Sequence, residues 1–91
     1  MSDQKSSENK KFINKIRRGI LKMLYDYFKE VPYAAIELRQ ISEECEVSAK
    51  ELNWNIVYLE KCGLVELAKS FPYPPFVSPS AVITAEGIDL V

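Results

Sequence analysis

The sequence predicts a mainly α-helical domain with a small β-hairpin: a three-helix core, two strands and a short closing helix. Three observations carry this expectation. Apolar residues recur at three- and four-residue steps through the first two thirds of the chain, the period of helices with one buried face. Gly63 then breaks the period and is followed by two β-prone runs separated by prolines. Thr84 finally precedes the closing run "AEGIDLV" in the position of a helix cap.

The 91 residues suffice for one domain with a single modest core. The opening "MSDQKSSENK" lacks large apolar groups and reads as a flexible polar arm over residues 1–10, leaving residues 11–91 as the domain. From Lys11 onward Ile13, Ile16, Ile20, Leu24, Tyr27 and Val31 form an amphipathic stripe, widened by Phe28. Pro32 ends this first helix by disfavouring helical geometry in the residue before it. Gly19 within it costs about 1 kcal/mol against alanine, and close packing is one reason to carry it. Ile36 fits a short strand. Leu38, Ile41 and Cys45 then mark a second helix of two or three turns.

Glu46, Val47 and Ser48 make the next turn. Ser48 is a natural N-cap, and Glu51 three places on completes a capping box. The third helix starts near Ala49 and stops at Gly63, where a left-handed residue closes a helix. "LVELAK" and "FVSPSAVITA" read as strands, the second starting around Phe76 or later, with the proline-rich "SFPYPP" as the turn. A strand-free three-helix bundle competes, but the two β-prone runs after Gly63 favour the hairpin.

Several function classes lose support at this point. No apolar run approaches the roughly 20 residues of a membrane span, and the start has no signal-peptide block, so a cytoplasmic location is expected. Cys45 and Cys62 are the only cysteines, without CxxC spacing, and histidine is absent: a poor zinc site. Both read as small buried or half-buried thiols. Histidine-based catalysis is excluded, and Glu43 and Glu44, adjacent on a helix, face different ways. The expectation is a non-enzyme with no metal and no cofactor motif.

Net charge is −1, but its distribution is lopsided. Residues 1–29 hold eight cations against three carboxylates, and the remainder holds four against ten.

Four pieces, taken in order, resemble a winged helix-turn-helix domain of small bacterial and archaeal regulators such as the MarR and PadR types. They are "ILKML", "LRQISEECEVS", "VYLEKCGLVEL" and "ITAEGIDLV". The most specific are the junction Leu59–Val65 and the close Ile83–Gly87; together the match covers about residues 12–91. The resemblance implies that a recognition helix of about residues 48–62 enters the major groove of double-stranded DNA while the hairpin, the wing, touches flanking backbone. Carried onto this chain, the readers are Ser48, Lys50, Asn53, Trp54 and Asn55.

At about 100° per residue, Leu52, Ile56, Leu59 and Gly63 share one sector of the third helix. Lys50, Trp54, Val57 and Lys61 lie opposite, flanked by Asn53 and Tyr58. One reading of that outward edge is DNA: Lys50 and Lys61 on phosphates, or Lys50 on guanine, with Asn53 or Asn55 paired to adenine. A second is a protein-binding surface anchored by tryptophan and tyrosine, making the domain an adaptor. A third folds Trp54 sideways to complete the core.

Residues 36–63 carry three cations against six carboxylates, which counts against DNA, and the wing has no cation after Lys69. The basic N-terminal segment is the counterweight: Lys15, Arg17 and Arg18, with Lys10, Lys11 and Lys22, can supply phosphate contacts. Phe71, Tyr73 and Phe76 either fold back onto the sheet or project as an interface patch. A homodimer is expected, and with only a stub at the C-terminus, the first helix or the wing would have to form it.

Overall fold

The structure, a computed structural model, describes residues 2–70 and 73–91, with side chains from Lys15 onward. It comprises α1 (Ser2–Glu30), β1 (Ile36–Glu37), α2 (Leu38–Cys45), α3 (Ala49–Lys61), β2 (Val65–Leu67), β3 (Ser80–Ile83) and α4 (Ala85–Leu90). The result is a mostly helical domain carrying a small antiparallel sheet in the order β1–β3–β2. From Ser2 the segment expected as an arm, residues 1–10, runs within α1, and no side chain is described there.

Ile36 enlarges the expected hairpin to three strands. Ile36 stands opposite Ala81 and Glu37 opposite Ser80, while Val65, Glu66 and Leu67 face Ile83, Val82 and Ala81 on the other edge. β3 is therefore central, and its alternating burial sends Ala81 and Ile83 inward. The last strand begins at Ser80, later than Phe76, because the preceding residues are spent on turns. Phe76 donates its N–H to the Tyr73 carbonyl at 2.7 Å, and the buried Ser78 hydroxyl donates to the Ala68 and Ser80 carbonyls at 2.9 and 3.1 Å.

The core fills the space where the three long helices meet the sheet. α1 contributes Ile20 and Leu24, α2 Leu38 and Ile41, α3 Leu52, Ile56 and Leu59, and the sheet Ile36, Val65 and Ile83. Each such side chain gains about 1.5–3 kcal/mol by leaving water, offset by the entropy of ordering the chain. Gly19 takes no part: a Cβ there would meet nothing within 4 Å, so close packing inside the domain does not explain it.

The helix ends follow local chemistry. The Ser48 hydroxyl accepts from the Glu51 N–H at 3.1 Å and so starts α3. At the exit Gly63 has φ +79°, its N–H reaches the Glu60 carbonyl, and Leu64 N–H reaches that of Leu59. That pair of bonds is the Schellman closure. α2 ends in the same way on a residue other than glycine. Glu46 adopts φ 56°, with Val47 N–H on the Ser42 carbonyl at 3.1 Å and the Ser42 hydroxyl on the Val47 carbonyl at 2.6 Å. Together these turns fix how α3 leaves α2 and enters β2.

No helix among the described residues is long and apolar enough to cross a membrane.

Candidate nucleic-acid interface

The wheel for α3 holds at its centre. Leu52, Ile56 and Leu59 are buried, and Lys50, Trp54, Tyr58 and Lys61 are exposed along the opposite side. Trp54 is 71% exposed and Tyr58 48%, so neither is recruited into the core. Trp54 does not fold sideways. Val57 is half-buried and packs at the edge of the cluster.

Each of the two aromatic rings carries a cation. The Lys50 ammonium stands 5.9 Å from the Trp54 ring, and the Arg17 guanidinium lies 3.7 Å above that of Tyr58. Trp54 and Tyr58 are four residues apart and thus neighbours on one face. The outward side of α3 is therefore a strip of two exposed rings with Lys50, Arg17 and Lys61 around them.

Arg17 is held from two directions. Its Nε donates to Asn55 Oδ1 at 3.0 Å, and Asn55 Nδ2 donates to the Glu51 carbonyl at 2.8 Å. Arg17 is half-buried, and among the described residues its guanidinium hydrogen-bonds through Nε alone. Fixed and planar, such a group suits a phosphate. Arg18 borders the same place: both arginines line a shallow pocket of about 290 Å³ with Tyr58, Cys62 and Leu90. Lys15 points elsewhere, into a groove beside Glu46 and Glu51. The basic start of α1 is thus divided between two surfaces.

Two of the expected readers are corrected. Asn55 is 8% exposed and both ends of its amide are occupied, so it braces Arg17 and cannot meet a base edge. Asn53 donates to the Pro75 carbonyl at 2.9 Å and accepts from Val77 N–H at 3.0 Å. Its amide fastens the loop before β3 to α3 and is not offered to a partner. Ser48 lies at the exposed start of α3, where its hydroxyl caps the helix.

The loop aromatics divide as well. Phe76, held between the two bonds from Asn53, is 8% exposed and belongs to the core, so it leaves the interface candidates. Tyr73 remains on the surface, and Phe71 lies outside the described residues. Tyr58, expected as a flank of the outward edge or an anchor for a protein partner, is the ring over which Arg17 lies. The signal was its i+4 spacing from Trp54.

Neither cysteine forms a bridge. Burial, with the neighbouring Glu44 charge, pushes the Cys45 thiol up, which makes it a poor nucleophile. Among the described residues no three His, Cys, Asp or Glu side chains gather as a metal site.

Set against protein-family models, curated proteins and solved structures, the chain matches none. The functional reading therefore rests on the geometry and on the order of elements alone.

Proposed function

We propose that the chain is a winged helix-turn-helix domain that binds double-stranded DNA and acts as a transcriptional regulator. In this reading α2, the turn through Val47 and α3 form the helix-turn-helix, and the β2–β3 hairpin forms the wing. The observation that carries it is the bare strip on α3, where Lys50, Trp54, Tyr58 and Lys61 face solvent and Arg17 is locked beside them. The order of elements supports it too, since a helix presented after a tight turn is the geometry that enters a major groove. Lys50 and Trp54, near the start of α3, reach base edges or the thymine methyl. Arg17, Arg18 and Lys61 hold phosphates on either side.

A mobility-shift titration with random-sequence duplexes at two salt concentrations tests the reading. Three phosphate contacts predict a loss of affinity of about 40-fold between about 50 and 200 mM salt. Lys61→Ala reduces that loss to about 12-fold, because one contact is gone. Trp54→Ala weakens binding by about tenfold at both concentrations without changing the salt slope. Duplex binding that ignores salt and both substitutions would sink the assignment.

A second reading, a protein-binding adaptor, draws on the same tryptophan and on the excess of carboxylates over residues 36–63. An anchor ring at the centre of a protein interface behaves as Trp54 does here: large, exposed and flanked by a polar rim. A wild-type chain with no affinity for duplex at low salt favours this second reading.

A further inference from the structure

Gly19 lies exposed in the middle of α1, and nothing inside the domain uses its missing methyl group. Glycine in a helix interior costs about 1 kcal/mol relative to alanine. The monomer bears that cost with no gain in its own packing. The residue opens onto a groove of about 690 Å³ between α1 and the turn joining α2 to α3. Apolar side chains line the groove at Ile16, Met23 and Val47. Lys15, Lys22 and Asp26 stand on the α1 side, and Glu44, Glu46 and Glu51 stand opposite.

Among the described residues these charges are poorly matched. Lys22 reaches only Asp26, at 3.5 Å with both groups exposed, and no ion pair among the described residues involves Lys15, Glu46 or Glu51. A groove with a net cationic side and an anionic side is complementary to a two-fold copy of itself.

We infer that the groove receives α1 of a second copy, in an antiparallel crossing at Gly19. Lys15 and Lys22 of each chain then face Glu46 and Glu51 of the other. Helix axes at a contact lie about 8–10 Å apart depending on the side chains between them, and glycine at the crossing permits the near end of that range. Ile16 and Met23, one turn either side of Gly19, exchange places across the two-fold axis and bury each other. Lys15 belongs to this interface, in keeping with its separation from the α3 strip. The inference stands apart from the DNA reading, since neither Gly19 nor Lys22 borders the outward face of α3.

Sedimentation equilibrium of the full chain without nucleic acid tests it. The wild type is expected to form a dimer, and Gly19→Leu weakens that dimer at least about tenfold. The same substitution does not lower the thermal midpoint of the monomer, because leucine is the better helix former and has open space there. Lys15→Glu with Lys22→Glu abolishes self-association, as does Glu46→Lys with Glu51→Lys, and mixing the two charge-reversed chains restores a heterodimer. A wild type that stays monomeric up to about 1 mM overturns the inference and leaves the groove to a different protein. A dimer indifferent to Gly19→Leu and to both charge reversals overturns it equally.

Discussion

Asn53 and Asn55 carry the same amide two positions apart on α3 and do unlike work. Asn55 falls about 60° from Leu52 on the helical wheel, at the border of the sector that Leu52, Ile56 and Leu59 mark, and its burial is decided by Arg17, a partner 38 residues away. Asn53 falls about 100° from Leu52, beside the sector, where spacing cannot choose between solvent and a neighbouring loop. Its partners, the Pro75 carbonyl and Val77 N–H, are more than twenty residues away. Contacts of that range are invisible in a local pattern. Replacing Asn53 with alanine removes both bonds and lowers stability by about 1–2 kcal/mol, measured by denaturant unfolding. The Val77 amide should also exchange its hydrogen faster, because the loop loses its fastening.

The starts and stops of the helices were the most readable features, because each depends on a few adjacent residues. Ser48, Gly63 and Thr84 cap as their chemistry predicts. The left-handed Glu46 was placed in a turn, but nothing in its own side chain announces that backbone geometry; the carbonyls of Ser42 and Glu43 impose it. α4 is joined to the exit of α3 more closely than its six residues suggest. The Thr84 hydroxyl donates to the Gly63 carbonyl at 2.6 Å and accepts from Gly87 N–H at 3.1 Å, and Thr84 N–H reaches the Leu64 carbonyl. Gly87 sits against that junction so tightly that a Cβ would collide with the Leu64 carbonyl oxygen and approach the Ile83 side chain to 2.8 Å. Backbone cannot give way as a flexible side chain can. Gly87→Ala should therefore cost about 3 kcal/mol or more in a thermal or denaturant melt. The same change at Gly19 should be neutral or slightly stabilising to the monomer.

The mainly helical architecture with a late sheet followed from periodicity and from the break at Gly63. The third strand followed only partly, since a two-residue strand has no period and is defined by its pairing with Ala81 and Ser80. Charge was harder to read. The sequence concentrates cations in its first quarter, and folding then divides them, with Arg17 and Arg18 beside Tyr58 and Lys15 beside Glu46 and Glu51. A count along the chain cannot foresee that division, because it is set by the angular position of each residue around α1. One exposed ring has a practical use. Trp54 is the sole indole of the molecule, and it already stands in water when the chain is folded. Its emission should shift little when the protein is melted, while a partner that covers α3 should move it to the blue and shield it from a soluble quencher. The chain thus contains a spectroscopic probe that is nearly blind to unfolding and responsive to occupancy of this one surface.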